Sequence, residues 1–527
     1  MDESHIYWLS DLSIGDVDRF GEKAAYLAEL HNKKIPIPNA FVISSDFFDG
    51  VLARFRPELQ EALANVSDLQ SAYNAAAQAR NILDKFTINE SGTELLLNTY
   101  KKLPDYVEHE NMSALTKQLV SSGRDLPFVA VRASPTRSSP FQFKPVLNAY
   151  GIEQLTDSIK KVIMSAFSPQ AIYYRYKHGI EQLDISMSII VQKMAQAVKS
   201  GDMFSINPIK NSKSELYAQA IWGINLDMLT NPSTFVFNKM DKTILEKNVV
   251  KQEKYYTRNA QFGELLLEPL PEHMRSITLL NERELSILAD IATRIEQIMN
   301  FPQHIEWAIE RNSVQILQTR PITRILEKPL LTTESGVLIN TLTSSGKAVV
   351  VFSKQDLQKI NAEAVMVATD ASRELFPYIV QSAAVINRAR GLTSPAAQIC
   401  RDFSIPALFQ AEIIDRISEG QDIQFTGQNV ELVQSVAAAP IPSYGEYSSQ
   451  NTPTQDIAEP TTSTNGDISS IKTQFEHLER ALTEQVSREA QRRASGEHIA
   501  EEDFKRSQLI SELEWQVRNL RIKLETS

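Results

Sequence analysis

The sequence predicts a mixed α/β protein that contains several domains. The chain has 527 residues, which is enough for three or four domains at about 150 residues each. Strand-like apolar runs alternate with amphipathic helical segments up to residue 436, a pattern that is typical of sheets covered by helices. Beyond that point the sequence turns polar and then indicates helices.

Composition narrows the classes of partner. A net charge of -11 and a pI near 5.4 argue against nonspecific binding to nucleic acid or to anionic membranes. Cys400 is the single cysteine, which excludes an intrachain disulfide. The N-terminus lacks the basic and apolar regions of a secretion signal, and no apolar run approaches the roughly 20 residues that cross a bilayer. We therefore expect a cytoplasmic protein with small-molecule or protein partners.

The first part of the chain is predicted to mix helices and strands. Residues 22–34 indicate a helix, and residues 35–52 indicate a strand followed by a helix. The region 54–124 is mostly helical and charged. A buried strand is predicted at residues 126–134, and the helical region after it is expected to break at Ser168-Pro169. Further strands are predicted within residues 185–208, 216–224, 234–247 and 304–322, and an amphipathic helix at residues 281–300.

A second compact unit is predicted to follow. Strand-like segments precede a helical segment and a closing strand, an order that suggests a small β/α domain. The strand-like segments are residues 337–352, 364–371 and 382–387, and the helical segment is residues 394–403.

The last 90 or so residues differ in composition from the rest of the chain. Residues 437–468 are rich in Pro, Ser, Thr and Gln and have too few aliphatic side chains to form a core, which predicts a disordered linker. Residues 469–527 carry apolar residues on roughly heptad spacing, with a break at residues 494–498. This pattern indicates either a helical hairpin or a short coiled coil.

Four segments, in this order, resemble the ATP-binding domain of the phosphoenolpyruvate synthase and pyruvate phosphate dikinase family. They begin FGEKAAYL, FVAVRAS, VQKMAQAV and HIEWAIER and lie at residues 20–44, 128–134, 191–208 and 304–322. This resemblance implies an ATP-grasp domain over residues 1–327. Residues 364–409 resemble the family's swivelling phosphohistidine domain, which implies that residues 328–436 form this second domain.

The resemblance also implies which residues hold the nucleotide. A triphosphate needs cations against its oxygens and a bridging Mg²⁺, since charge neutralisation and positioning do most of the work of phosphoryl transfer. Lys23, Arg132 and Arg320 match the family's cations. Glu306 and Gln318 match the two residues that hold the metal, and their side-chain oxygens suit a hard ion. ATP, and Mg²⁺ with it, are therefore the expected ligands.

From the residues alone, each of these side chains also has an ordinary structural explanation. Lys23 is compatible with a solvated surface charge. Arg132 lies in an apolar strand and needs a partner, which is either phosphate or an internal carboxylate. Glu306 and Gln318 are compatible with an ordinary cross-strand pair. Gln192 is expected by resemblance to line the pocket for the base, but its segment is equally compatible with core packing.

The loop after the arginine strand departs from the family pattern. Family members carry a glycine there, because only glycine lets backbone N–H groups approach phosphate closely. Phe141 stands at the glycine position, Lys144 at an acidic position and Pro145 at a threonine position. We expect this loop to lack the backbone cradle, with Arg137 and Lys144 either compensating as cations or exposed to solvent.

Two further positions that carry chemistry are altered. His304 stands where the family has an Asp near the metal, which weakens the expected Mg²⁺ site. Pro395 stands at the position of the phosphate-accepting histidine, and none of the eight histidines lies between residues 330 and 440. Thr393 and Ser394 carry hydroxyls beside it, but a hydroxyl needs an activating base, and the sequence indicates none.

These departures leave three hypotheses. In the first, the chain is a degenerate or regulatory family member that binds ATP without the full dikinase reaction. In the second, it is a residual phosphotransferase that acts on a small acceptor or on a histidine of a partner protein. In the third, neither nucleotide binding nor chemistry survives. The family's pyruvate-binding barrel is expected to be missing, and the predicted C-terminal helices offer a surface for self-association or for a protein partner.

Overall fold

A computed structural model of the chain describes its residues in eight ranges, and the bounds below refer to these. The predicted α/β class is confirmed, since helices and strands are mixed along them. The predicted linker and C-terminal helices, residues 437–468 and 469–527, lie outside the described residues. Within the described part, no helix combines the length and the apolar character that a membrane span requires. The described ranges are 1–103, 126–136, 143–225, 232–258, 265–322, 330–369, 371–389 and 391–433.

A five-stranded antiparallel sheet and its helices form the N-terminal layer. The strand order is β1-β2-β5-β3-β4, and one apolar core joins β2, β3 and β5 to helices α2 to α6. The elements are β1 (Ile6–Trp8), α1 (Val17–Asn32), β2 (Ala40–Ile43), α2 (Ser45–Leu63), α3 (Leu69–Leu83), α4 (Glu90–Lys102), β3 (Val129–Pro135), β4 (Val146–Ala149), α5 (Gly151–Ser165), α6 (Pro169–Lys177) and β5 (Met187–Lys193).

The helix signals of the sequence correspond to helix ends in the structure. Ser168 caps α6 by accepting a hydrogen bond from the backbone N–H of Ala171, and Pro169 occupies its first turn, as the predicted break requires. Asn281 accepts from the N–H of Glu284 in the same way at the start of the helix predicted at residues 281–300. Asn300, with a left-handed φ of 53°, ends that helix.

A six-stranded antiparallel sheet forms a second layer, in the order β13-β12-β6-β7-β8-β9, and β10 pairs with β11 beside it. Helix α1 contacts both β3 and β5 of the first sheet and β13 of the second, so it lies where the two sheets approach each other. The elements are β6 (Lys199–Phe204), β7 (Glu215–Trp222), β8 (Ser233–Asn238), β9 (Ile244–Asn248), β10 (Lys254–Arg258), β11 (Leu265–Pro269), α7 (Glu282–Met299), β12 (Gln303–Glu310) and β13 (Ser313–Pro321).

A second unit is built on an eight-stranded sheet in the order β14-β15-β19-β18-β17-β16-β20-β21. Its central strands β16 to β19 are parallel, which agrees with the predicted β/α order. The elements are β14 (Leu331–Thr333), β15 (Gly336–Leu338), β16 (Thr343–Val350), α8 (Lys354–Leu357), β17 (Ala364–Ala368), α9 (Phe376–Ile379), β18 (Ala384–Asn387), α10 (Pro395–Asp402), β19 (Ala407–Phe409), β20 (Asp422–Thr426) and β21 (Val430–Leu432).

The second unit packs directly on the six-stranded sheet. Phe204 and Tyr217 of that sheet belong to the same buried apolar cluster as Leu392 of the second unit. The ring of Tyr173 on α6 stacks on Phe403 at a centroid distance of 5.8 Å. Apolar burial of this kind favours association, and it places the loop before α10 against strands β6 and β7.

Candidate functional site

A glycine in α1 positions Lys23. Gly21 has a φ of 74°, a conformation that favours glycine, and it interrupts the helical geometry of α1. A Cβ at this position would lie 2.3 Å from the carbonyl oxygen of Pro135 and 2.5 Å from that of Ser134. The N–H of Ala24 donates to Ser134 Oγ at 3.1 Å. The helix therefore approaches the end of β3 closely, and Lys23 lies beside the strand that carries Arg132.

The ammonium group of Lys23 lies among charged groups in a partly buried position. Burial lowers the pKa of Lys23 from 10.5 to about 8; the Glu306 carboxylate opposes this shift, and Arg320 and Arg132 add to it. The interpretation of Lys23 as an ordinary solvated lysine does not fit this environment. An anion placed between these cations would stabilise all three in their charged forms.

Arg132 connects the two sheets. Its Nη1 donates to Glu306 Oε2 at 3.1 Å and to Gln318 Oε1 at 3.3 Å. Glu306 and Gln318 face each other across β12 and β13, and the register shifts directly after Glu306. The internal carboxylate that the sequence left open as a partner of Arg132 is thus present. Arg132 Nε is buried without a hydrogen bond among the described residues, so the guanidinium retains a donor for a further acceptor.

Glu306 and Gln318 suit Mg²⁺ by their donor chemistry. Their side-chain oxygens lie within hydrogen-bond distance of one guanidinium nitrogen and so converge on one cationic position. Mg²⁺ typically takes one or two carboxylates and completes its shell with phosphate oxygens and water. Across the described ranges no group of three or more His, Cys, Asp or Glu residues could hold a metal. The protein would thus supply only part of the shell, and bound Mg²⁺ would neutralise phosphate charge.

His304 takes part in a polar chain rather than offering a metal ligand. Arg320 Nε donates to His304 Nδ1 at 2.9 Å, which places the imidazole proton on Nε2. That Nε2 lies 3.4 Å from Asp202 Oδ2, an electrostatic contact whose geometry is too poor for a full hydrogen bond. His304 and Asp202 are both 4% exposed. Both ring nitrogens therefore face protein groups.

Asp202 continues this chain into the second unit. The Thr393 hydroxyl donates to Asp202 Oδ2, and Gln219 Oε1 lies 3.3 Å from the same hydroxyl oxygen. Burial alone would raise the pKa of Asp202, but His304, Thr393 and Arg320 outweigh that effect and lower it. The expectation that no base lies near Thr393 is wrong. β6 brings a carboxylate to it from 191 positions earlier in the chain.

The polar residues enclose a cavity of about 110 Å³, called the larger cavity below. Both the two-sheet body and the second unit contribute to its wall. The lining includes Lys23, Arg132, Phe143, Pro145, Asp202, His304, Glu306, Gln318, Arg320, Arg373, Thr393 and Gln398.

A smaller cavity of about 50 Å³ adjoins the larger one and shares Arg132 and Glu306 with it. Gln192 lies in its wall and is 1% exposed, and its Nε2 makes no hydrogen bond within the described part of the chain. A buried amide donor without a partner is costly. Gln192 therefore has a polar group available for a ligand in a pocket that also includes Ala130, Met194, Ala195, Trp307 and Leu317.

The sequence anticipated only part of this site. Lys23, Arg132, Glu306, Gln318 and Arg320 come together in the larger cavity, whereas Gln192 lies in the smaller one.

The structure describes residues 143–145 of the altered loop. Lys144 is exposed and is not part of either cavity wall. Pro145 and Phe143 form part of the larger cavity. Arg137 and Phe141 lie outside the described residues.

Asp202, Arg373 and Gln398 of the larger cavity were not anticipated by the sequence interpretation. A signal existed for Asp202, because an ionised residue in a buried strand is costly unless it is paired. Arg373 and Gln398 had no such signal. They reach the cavity only because the second unit packs against the first body.

Comparison with known proteins connects this geometry to a family. Residues 17–335 match the family model described as pyruvate phosphate dikinase, AMP/ATP-binding domain, and residues 360–429 match the PEP-utilising enzyme, mobile domain.

The curated relatives are about 27% identical to this chain over the aligned residues. A protein of Methanocaldococcus jannaschii named probable phosphoenolpyruvate synthase is 27% identical over 460 residues, covering 82% of this chain and 37% of its own length. One of Archaeoglobus fulgidus with the same name is 27% identical over 451 residues, covering 80% and 57%. The phosphoenolpyruvate synthase of Pyrococcus furiosus is 27% identical over 451 residues, covering 76% and 55%. The chain thus spans between about a third and three-fifths of the length of these relatives.

Proposed function

The chain belongs to the phosphoenolpyruvate synthase and pyruvate phosphate dikinase family, and from this premise we propose that it binds ATP in the two adjoining cavities. One observation carries the proposal. Five polar residues from positions 23 to 320 of the chain converge on the larger cavity. Three of them are cations, an arrangement that suits the phosphates of a nucleotide. We assign residues 1–327 to an ATP-grasp domain on the same grounds.

Each residue has a distinct role in this proposal. Lys23, Arg132 and Arg320 bind phosphate oxygens, and Glu306 and Gln318 hold Mg²⁺ against them. The apolar wall of the smaller cavity receives the base, where the free amide donor of Gln192 gives it a hydrogen bond. Mg²⁺, when bound, supplies charge neutralisation.

The second unit, residues 328–436, is proposed to be a swivelling domain. Arg373, Thr393 and Gln398 of this unit form part of the wall of the larger cavity. Movement of the unit away from the six-stranded sheet would therefore open the proposed nucleotide site. Pro395 has no nucleophile at the position of the family's histidine, so we propose nucleotide binding without the full dikinase reaction, in a degenerate or regulatory role.

A residual phosphotransferase activity is the alternative. The retained cations also suit this alternative, because charge neutralisation and positioning do most of the work of phosphoryl transfer. In this alternative the acceptor is a small molecule or a histidine of a partner protein. The predicted C-terminal helices would then supply the contact with the partner.

Titration calorimetry on the full chain with ATP, ADP and AMP, with and without Mg²⁺, tests the proposal. We expect saturable ATP binding and a rise in melting temperature, since a ligand at 100 times its Kd stabilises the folded state by about 2.7 kcal/mol. Chromatography of the nucleotides after incubation separates binding from turnover. Absence of both heat and thermal shift at millimolar ATP would refute the proposed function.

A further inference from the structure

Asp202 has no part in the proposed binding of nucleotide. It lies on β6, is 4% exposed and forms part of the wall of the larger cavity. A buried carboxylate repels phosphate and partly neutralises the cations on the same wall, so direct contact with a nucleotide does not explain it. An ionised side chain in this position is also costly unless other groups pair with it. The partners of Asp202 therefore indicate its role.

The register of the six-stranded sheet places His304 between Asp202 and Arg320. His304 on β12 faces Arg320 on β13 as a direct cross-strand partner. Asp202 on β6 faces Glu306, two positions further along β12, so His304 and Asp202 are diagonal neighbours on one face of the sheet. The imidazole connects the two charged groups: Arg320 Nε donates to its Nδ1 at 2.9 Å, and its Nε2 lies 3.4 Å from Asp202 Oδ2.

The carboxylate favours the state of the imidazole that Arg320 requires. Arg320 can donate to Nδ1 of His304 only while the ring proton is on Nε2. The negative charge of Asp202 attracts that Nε2–H group, which stabilises this tautomer and orients the ring, as a carboxylate does behind a metal-binding histidine. Because the guanidinium is planar and rigid, fixing its Nε also sets the direction of its terminal nitrogens.

The second unit holds the carboxylate in place from the opposite side. The Thr393 hydroxyl donates to Oδ2 of Asp202, the same oxygen that faces His304. Gln219 faces Asp202 across β6 and β7, and its Oε1 lies 3.3 Å from the Thr393 hydroxyl oxygen. Rotation of the carboxylate away from His304 would break the hydrogen bond to Thr393, so these contacts restrict it to one orientation.

We propose that Asp202 is a positioning residue that acts through His304 and holds the guanidinium of Arg320 in the larger cavity, an inference that rests on the proposed nucleotide site. Asp202 itself does not contact the nucleotide. If its charge acted on phosphate directly, its removal would strengthen ATP binding. Since it instead orients a cation that binds phosphate, its removal weakens ATP binding, and the sign of the change distinguishes the two roles.

Titration calorimetry of the full chain with ATP and Mg²⁺ tests this role. Asp202→Leu removes the charge and the acceptor oxygens at similar side-chain size. We expect about tenfold weaker ATP binding, at the lower end of the loss that follows removal of an orienting group behind a histidine ligand. The control Glu215→Leu should keep the wild-type affinity, because Glu215 lies on β7 of the same sheet, accepts from Asn207 at 2.7 Å and is outside both cavities.

A double-mutant cycle tests whether the effect passes through Arg320. Arg320→Ala should weaken ATP binding by itself, and the addition of Asp202→Leu to that variant should cause no further loss. Residues that act through one contact have non-additive effects, whereas independent residues have additive ones. A further loss of about tenfold in the double variant would show that Asp202 acts independently of Arg320, which overturns the inference.

Relocation of the carboxylate to β12 distinguishes positioning from damage to the fold. Since positions 304 and 320 are direct cross-strand partners, an aspartate side chain at position 304 can pair with Arg320 without an intervening imidazole. The double variant Asp202→Leu, His304→Asp should therefore regain the affinity lost in Asp202→Leu alone. Melting curves show whether each variant is folded, and the double variant is compared with the wild type if Asp202→Leu alone does not fold.

The same titrations separate this inference from the proposed function. Failure of the wild-type chain to bind ATP overturns both. ATP binding by the wild type, with equal or tighter binding by folded Asp202→Leu, overturns the inference and leaves the proposed function standing. Affinity of the relocated variant about tenfold below that of the wild type also overturns the inference.

Discussion

Two sides of the larger cavity follow the family pattern to different degrees. The side formed by α1, β3, β12 and β13 carries the five residues that we propose to hold nucleotide and metal. In the side formed by the second unit, the resemblance implies that Pro395 stands where the family has its phosphate-accepting histidine. This side also presents Thr393, whose hydroxyl donates a hydrogen bond to Asp202 on β6.

This difference teaches that the residues proposed to bind nucleotide and the loop that carries Thr393 come from different parts of the fold. The proposed binding side is built from elements of the two-sheet body, and its residues depend on one another. Arg132 is paired with Glu306 and Gln318, so loss of one leaves another buried polar group without a partner. The other side depends on the single loop of the second unit that precedes α10.

Removal of the Lys23 ammonium tests the binding side most directly, and we expect the largest effect there. A hydrogen bond to a charged group contributes about 1.5–3 kcal/mol, so Lys23→Ala should weaken ATP binding by roughly 10- to 150-fold. Titration calorimetry measures the change. The control is Lys144→Ala, since Lys144 is exposed and outside both cavities. Equal affinities for the two variants would show that Lys23 does not contact phosphate.

A substitution at Gly21 tests whether backbone geometry positions that lysine. Gly21→Ala places a Cβ 2.3 Å from a backbone oxygen at a positive φ, and such strain is of the order of 1–3 kcal/mol. We expect a loss of that size in the free energy of unfolding, measured with urea, and weaker ATP binding in the folded protein. Gly50→Ala is the control, because Gly50 lies in α2 with no atom within 4 Å of the added Cβ. It should stabilise the helix by about 0.5–1 kcal/mol, and equal effects at both sites would contradict the prediction.

We expect a smaller effect on binding from loss of the proposed metal ligand Glu306. In Glu306→Gln one anionic oxygen is lost from the proposed Mg²⁺ site and Arg132 loses its ion pair, so binding of free ATP should not weaken. The advantage of Mg²⁺-ATP over free ATP should therefore fall by about tenfold, or 1.4 kcal/mol. Titrations with Mg²⁺ and with a chelator measure the ratio. Glu310→Gln, on the same strand but outside the cavity walls, should keep it, and an unchanged ratio in Glu306→Gln would exclude this carboxylate as a ligand.

The smallest effect concerns pH. Burial lowers the pKa of Lys23 from 10.5 to about 8, so the folded protein is destabilised below pH 8 by keeping this side chain charged. The destabilisation disappears as the pH rises towards 10.5. Phosphate binds the charged form, so ATP affinity should fall by about fourfold between pH 7 and pH 8.5, with proton uptake on binding. Calorimetry in buffers of different ionisation enthalpy measures that uptake. Lys23→Arg should bind with a flat profile over this range, and a similar slope in both proteins would assign the titration to another group.

The sequence by itself determined most of the helices and strands and most of the residues that we propose to bind nucleotide. Periodicity located α7, and the Ser168-Pro169 pair located the start of α6, because a capping side chain acts on backbone groups within a few residues of itself. The hairpin of β12 and β13 was also predictable, because its two strands are neighbours in the chain. This prediction placed Glu306 and Gln318 on facing strands. Resemblance then added Lys23, which lies far from them in the chain.

Only the tertiary structure decided how the two sides of the cavity meet. No local pattern connects Asp202 with Thr393, since the contact depends on how the second unit packs against the six-stranded sheet. The same is true of Arg132, whose possible partners were phosphate and a carboxylate until the two sheets placed Glu306 3.1 Å away. Short-range hydrogen bonding acts within a few residues and can be inferred from sequence. Electrostatic partners come from distant strands, and the packing of the apolar cores determines which of them meet.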